Sequence, residues 1–159
     1  MTLEGVVPKT FIGKVQAKMG MNILIVEDSS VMRSMIAKTV QLSGVDIGEI
    51  HQAANGREGL ESLDRQRIDL VIADINMPVM NGEDMIDEIL AHPEHRQLPI
   101  MVISTEGSQT RIERLRRKGA VFLQKPFSPE KVRDVLRQML GEEVFDGSVN
   151  GENTFDSGA

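Results

Sequence analysis

The sequence predicts an α/β protein: a doubly wound, five-stranded parallel sheet with five helices on its two faces. Three observations carry this. Strand-like and helix-like segments alternate five times over about 120 residues, which is how a sheet covered by helices reads along a chain. The strand segments Ile23–Val26, Leu70–Ala73 and Ile100–Ser104 are continuous apolar runs, as expected of strands buried on both faces. The helical segments carry apolar residues on one stripe only, leaving the other side for water.

Taken in order, Ile23–Val26 is the first strand, followed by a helix over Val31–Ser43 with Met32, Met35, Ile36, Thr39 and Val40 along its stripe. A shorter strand, Glu49–Ala53, precedes a helix over Arg57–Arg65. The Leu70 strand stops on Asp74, and Met77-Pro78 with Asn81-Gly82 forms a loop that no strand would continue through. Asn81 is placed to cap a helix over Gly82–Ala91. Ile100–Ser104 leads to a helix over Gln109–Lys118, and Val121–Gln124 is the fifth strand. The last helix opens with Ser128 as cap and Pro129 at the first helical position. Its stripe is Val132, Val135, Leu136, Met139 and Leu140.

Composition narrows the class. The 159 residues suffice for one domain with a real core. The chain has no cysteine, which rules out disulfides and thiolate metal sites and fits a cytoplasmic protein. No apolar run is long enough to insert in a membrane, and the amino terminus lacks the pattern of a secretory signal. A net charge of −6 argues against nucleic acid as a partner of the whole surface. The charge is zoned. Residues 1–20 hold three lysines and one glutamate, whereas 141–159 hold five carboxylates and no base. The expected organisation is an N-terminal extension over 1–20 (poorly ordered or a short helix), a packed domain over 21–140, and an acidic, Gly-rich tail over 141–159. Met21, directly before the first strand, could itself be a natural start.

In a parallel sheet the carboxyl ends of all strands lie on one edge, where ligands bind. Asp74 stands at such an end. A structural aspartate there would cap the next helix, but Asn81 already serves that purpose, leaving Asp74 for chemistry. The first strand ends in Glu27-Asp28, the fourth in Ser104-Thr105 and the fifth in Lys125-Pro126. Three carboxylates with one lysine cannot all stay ionised in a crevice unaided, and a divalent cation would relieve them. Oxygen-only ligands favour Mg2+ over zinc. Open positions on such a cation suit phosphate oxygens, with Lys125 as a second positive charge and the Ser104 hydroxyl as a donor.

These residues resemble the receiver domain of bacterial two-component response regulators, most closely the single-domain CheY-like type. The resemblance runs from Met21 to about Leu140. It rests on Val26-Glu27-Asp28-Ser29-Ser30-Val31-Met32-Arg33, Asp74-Ile75-Asn76-Met77-Pro78-Val79-Met80-Asn81-Gly82, Ser104, and Lys125-Pro126-Phe127, in order and at the family's spacing. It implies the flavodoxin-like strand order 2-1-3-4-5 and a cis Lys125-Pro126 bond. It further implies that Asp74 accepts a phosphoryl group from a histidine kinase. Mg2+ would be held by Asp28, Asp74 and the backbone carbonyl of Asn76, with Glu27 acting through water. Lys125 and Ser104 would contact the phosphoryl group, and Ser104 with Phe122 would form the switch. Asn76 and Glu106 would tune dephosphorylation, in a pattern that matches rapid turnover.

The chain departs from the family in three places. Glu27 stands where aspartate is common, Phe122 lacks a tyrosine's hydroxyl, and Gly119-Ala120-Val121-Phe122 is one residue shorter than usual. Arg111, Arg114, Arg116, Arg117 and Lys118 form a basic cluster that reads either as a solvated helix face or as an output surface for an acidic partner. His92 and His95 read as solvated loop residues, His51 has no acidic partner in sequence, and the ten methionines read mostly as core. The tail's near-repeat, Phe145-Asp146-Gly147-Ser148 and Phe155-Asp156-Ser157-Gly158, reads as linker by default, or as a two-copy peptide motif.

Nineteen residues follow Leu140, so output is expected through contact with a downstream protein target rather than an attached domain. A stand-alone switch competes with a phosphorelay intermediate or phosphate sink. An aspartyl-nucleophile phosphatase would want a second aspartate where Asn76 stands. A scaffold that has abandoned phosphorylation would not need Asp28, Asp74 and Lys125 intact. The protein is therefore expected not to act as an enzyme on an external substrate.

Overall fold

Alternation of side chains along the strands decides how the two layers of helices attach. In the computed structural model, which describes residues 20–145, five strands form one parallel sheet: β1 (Met21–Val26), β2 (Ile47–Ala53), β3 (Leu70–Ala73), β4 (Ile100–Ser104) and β5 (Val121–Gln124), in the order β2-β1-β3-β4-β5. Successive residues of a strand face opposite sides. Leu24, Val26, Val71, Ala73, Ile100 and Val102 thus share one core with α2 (Gly56–Arg65), α3 (Gly82–Ala91) and α4 (Gln109–Arg117). Ile23, Ile25, Leu70, Ile72, Met101 and Ile103 share the other with α1 (Ser30–Leu42) and α5 (Pro129–Leu140). Both faces of β3 and β4 are covered, and every residue of these two strands is buried. Each fully buried Ile or Leu contributes about 1.5–3 kcal/mol to folding, so the apolar runs that define these strands also hold them.

The helices begin where their caps stand. The side chains of Ser29, Asn55, Asn81, Ser108 and Ser128 each accept a backbone N–H of the first turn. Pro129 opens α5 with no N–H to lose. Two strands start earlier than their apolar runs suggested. β1 takes in Met21 and Asn22, because Met21 N–H donates to Asp46 O at 2.8 Å and Asn22 Oδ1 accepts from Glu49 N–H at 3.0 Å. β2 starts at Ile47 for the same reason. β2 lies at the sheet edge, where exposed polar positions blur an apolar run.

The acidic segment set off at residue 141 starts later in packing terms. A short 3-10 turn covers Glu142–Val144, Asp46 N–H donates to Val144 O at 2.8 Å, and Phe145 bridges to Val45. Phe145 packs against the α1/α5 core, and this apolar contact ties the turn to the domain. Expectations for residues 1–19 and 146–159 lie outside the described residues.

The methionines are less uniformly core than expected. Met85 and Met101 are fully buried, whereas Met35 is 53% exposed beside Val31 at 70%. α1 packs through Ile36 and Val40 with Met32 partly buried beside them, while Val31 and Met35 are left uncovered. No helix among the described residues is long and apolar enough to cross a membrane.

Candidate functional site

Because every strand pair is parallel, β1, β3, β4 and β5 all deliver the chain to one edge. The register aligns Val26 with Ala73, Ala73 with Val102, and Ser104 with Gln124. The next residues are Glu27, Asp74 and Lys125, and the ladder continues through them. Glu27 N–H donates to Ala53 O at 3.0 Å, Asp74 N–H to Val26 O at 3.0 Å, and Lys125 N–H to Ser104 O at 2.9 Å. These side chains therefore project from backbone as rigid as the sheet.

Carboxylate oxygens of Glu27, Asp28 and Asp74 all lie within 4.8 Å of one another. Lys125 Nζ stands 3.7 Å from Asp74 Oδ2, and Asp74 Oδ1 accepts the Ile75 N–H at 2.7 Å. Glu27 is 3% exposed and its Oε2 has no hydrogen-bond partner among the described residues. Burial pushes the Glu27 carboxyl from 4.5 up to about 7, with a hydrogen bond to Asp74 and the negative charges of Asp74 and Asp28 adding to the shift. Lys125 offsets this only in part. An orphaned buried carboxylate oxygen in a cluster of three acids is a group of hard oxygen donors short of positive charge. Such a set fits Mg2+ and offers no nitrogen or sulfur to a softer metal.

The loops are built to hold this cluster open. Gly82 opens α3 directly beneath Asp74: a Cβ there would lie 2.1 Å from the Asp74 carbonyl oxygen. Gly82 N–H also donates to Ile75 O at 2.8 Å, pinning the turn after β3. Arg33, from the first turn of α1, donates through Nη1 to Glu27 O at 2.6 Å and so fixes the loop that carries Asp28. Sequence reasoning gave Arg33 no role. A long cation in the first turn of the helix was the available signal, since the helix dipole disfavours it there.

Ser104 is fully buried at the end of β4, and its Oγ accepts from Glu106 N–H at 3.2 Å. Phe122 on β5 is half-buried against the core shared by α2, α3 and α4. The Lys125-Pro126 peptide is cis.

The basic cluster of α4 is placed differently from a free docking face. Arg114 donates to Glu83 (Nη2 to Oε1, 2.9 Å), and Lys118 Nζ lies 3.1 Å from Glu83 Oε2 and 2.7 Å from Asp87 Oδ1. Arg111 Nη1 contacts both Asn76 Oδ1 and Glu106 Oε2 at 3.2 Å. Hydrogen bonds from Arg114 and Lys118 hold the Glu83 carboxyl down at about 2. Of the five basic residues, Arg116 and Arg117 are exposed and form no ion pair with α3, Arg117 lying beside Glu113 of its own helix. The partners of Arg114 and Lys118 come from α3, 31 or more residues upstream, so the sequence around α4 could not reveal them.

The histidines also find partners. His51 Nε2 lies 3.2 Å from Glu49 Oε2, two residues back on the same face of β2, which corrects the expectation that it has no acidic neighbour. His92 and His95 stack with ring centroids 4.4 Å apart near Asp64, and these three could in principle gather around a metal. His92 Nδ1, however, accepts the Glu94 N–H at 3.2 Å, so that lone pair is committed to the turn.

A strand-end aspartate thus stands with two further acids and a lysine on one edge of a sheet of order β2-β1-β3-β4-β5. Residues 23–137 match the family model described as the response regulator receiver domain. The chain belongs to that family. It is 33% identical over 123 residues to chemotaxis protein CheY1 of Helicobacter pylori, covering 76% of this chain and 98% of that protein. It is 35% identical over 122 residues to chemotaxis protein CheY of Thermotoga maritima, again covering 76% and 98%. Among solved structures it resembles CheY4 of Vibrio cholerae, with a TM-score of 0.68 and 33% identity over 76% of this chain and 99% of that one.

Proposed function

We propose that this protein is a single-domain response regulator that takes a phosphoryl group from a histidine kinase onto Asp74 and signals by phosphorylation-dependent binding to a downstream protein. The observation that carries this is the Asp74 carboxylate at the end of β3, with Lys125 at 3.7 Å and two further carboxylates within 4.8 Å. In transfer, an Asp74 oxygen forms a bond to phosphorus as the bond from phosphorus to the donor's imidazole nitrogen breaks, the electron pair leaving with the imidazole. Bound Mg2+ would supply charge neutralisation for the phosphoryl oxygens. Asp28, Asp74 and the Asn76 backbone carbonyl would hold it directly and Glu27 through water. A receiver domain of a Pseudomonas aeruginosa sensor histidine kinase, 28% identical with a TM-score of 0.67, has a magnesium ion coordinated in its active-site cleft. Lys125 would pair with the phosphoryl group on the side away from the acids, and Ser104 Oγ would donate to it. Little covalent chemistry is asked of the protein. Placement and charge compensation carry the reaction.

The donor must sit on the rim of the crevice for direct transfer. An open apolar groove of about 390 Å3, lined by Met32, Met35, Thr39, Thr105, Lys125 and Phe127, shares Lys125 with the crevice. We assign this rim to the kinase. Output leaves through the opposite side: Ser104 moving toward the phosphoryl group vacates space that Phe122 can fill, which alters the face made by α4, β5 and α5. Arg116 and Arg117 are exposed cations of α4 offered to an acidic partner, while Arg111, Arg114 and Lys118 are engaged with α3 and the crevice loops in the unphosphorylated protein. A cytoplasmic setting follows from the reliance on a kinase phosphodonor.

Incubation with acetyl phosphate and Mg2+ tests the reading. Intact-mass spectrometry should show one added phosphoryl group on the wild type and none on Asp74→Asn. Labelling that persists in Asp74→Asn would remove Asp74 as acceptor.

A further inference from the structure

Arg111 occupies a position that the phosphoacceptor reading does not itself require. It lies in the first turn of α4, a quarter exposed, and one of its nitrogens reaches two side chains from different loops. Nη1 is 3.2 Å from Asn76 Oδ1, in the loop after β3, and 3.2 Å from Glu106 Oε2, in the loop after β4. The other Glu106 oxygen accepts the Ser108 N–H at 3.4 Å, and the Glu106 N–H donates to Ser104 Oγ at 3.2 Å. Nε is anchored 3.7 Å from Glu83 Oε1. The guanidinium thus bridges the two loops that border Asp74 and Ser104, with its far side held by α3. A planar, permanently charged fork suits this bridge, where an ammonium would serve as one point charge.

The two acceptors it holds matter for water. Hydrolysis of an acyl phosphate on Asp74 needs a water in line with the breaking phosphorus–oxygen bond. That water must present a lone pair to phosphorus while its O–H groups donate to nearby acceptors. Asn76 and Glu106 each lie two residues beyond a strand-end crevice residue and carry such acceptors, Oδ1 and Oε2. Both are occupied by Arg111.

Building on the phosphoacceptor reading, we propose that Arg111 is a positioning residue that sets the lifetime of the phosphorylated protein. By clasping Asn76 and Glu106 it withholds their oxygens from the attacking water. Residue identities at 76 and 106 imply rapid turnover; the clasp lengthens it. Because Ser104 Oγ accepts the Glu106 N–H, any movement of Ser104 toward the phosphoryl group releases one tie on Glu106 and loosens the clasp. The lifetime is then coupled to the switch.

The full-length protein is labelled with acetyl phosphate and Mg2+, the donor is removed, and loss of the phosphoryl group is followed by intact mass. Arg111→Ala should label on Asp74 like the wild type and lose the group about 3- to 10-fold faster, the range expected when a coupled pair is broken. In an Asn76→Ala, Glu106→Ala background, adding Arg111→Ala should change nothing, since no acceptor is left to release. Arg114→Ala, which cuts the neighbouring contact to Glu83, should leave the lifetime unaltered. Equal or slower loss in Arg111→Ala overturns the proposal. So does an Arg111 effect that survives in the background lacking both acceptors, which would place its action in the α3–α4 packing. An absence of any label on the wild type would instead overturn the phosphoacceptor reading and the clasp with it.

Discussion

Two clusters of charge lie within one turn of helix of each other and behave in opposite ways. In the crevice, Glu27, Asp28 and Asp74 face a single Lys125, and the Glu27 carboxyl is driven up to about 7 by burial and by its acidic neighbours. Around the α3–α4 seam, Glu83, Asp87 and Glu106 face Arg111, Arg114 and Lys118, and the Glu83 carboxyl is held down at about 2. Both clusters are built of acids facing bases; the charge balance differs. A balanced cluster is at rest and stabilises the fold. A cluster short of positive charge is costly to keep, and the deficit is what a cation and a phosphoryl group are positioned to use.

Gly82 joins the two regions, with Asp74 O pressed against its Cα and Glu83 next in the chain. Gly82→Ala should disturb both at once, because the added methyl meets backbone that cannot step aside. The expected loss is about 3 kcal/mol or more in denaturant unfolding, together with loss of labelling by acetyl phosphate. A variant as stable as the wild type would show that the turn after β3 yields more readily than its hydrogen bonds suggest.

Asp28→Asn separates function from stability more sharply. Removing one negative charge from the crevice should raise stability without added metal by about 1 kcal/mol, by relieving repulsion around Glu27. Thermal unfolding of the wild type should shift upward as Mg2+ is added, by the binding free energy, and this shift should shrink strongly in Asp28→Asn. If both proteins respond equally to Mg2+, Asp28 is not among its ligands.

Much of this was legible in the sequence, for reasons that also explain what was not. The continuous apolar runs of β3 and β4 announce strands buried on both faces, and a parallel sheet obliges their next residues to meet on one edge. Asp74, Ser104 and Lys125 could therefore be grouped without coordinates. What depends on distance between elements left no trace along the chain. The pairing of Glu83 with Arg114 and Lys118 and the reach of Arg111 to Asn76 both cross between segments whose separation sequence cannot supply. Periodicity misled in one respect: Met35 falls on the stripe of α1 with Ile36 and Val40, yet it is exposed and lines an open groove.

The smallest expected effect is at the seam, and its pH dependence identifies it. Glu83→Gln should cost on the order of 1 kcal/mol near neutral pH, a modest figure because Arg114 is half exposed and solvent screens the pair. The Glu83 pKa in the folded protein, about 2, lies below the usual 4.5, so folding favours its ionised form. Its stabilising contribution is therefore present above about pH 4.5 and disappears as pH falls toward 2, where folded and unfolded forms both carry the proton. The stability difference between wild type and Glu83→Gln, measured by urea unfolding, should be constant from pH 7 to about 5 and close progressively below that. Because the seam is balanced, the same substitution should leave labelling of Asp74 by acetyl phosphate unaltered. A difference that persists unchanged to pH 2 would mean that Glu83 acts through packing rather than through its charge, and the contrast between the two clusters would lose its electrostatic basis.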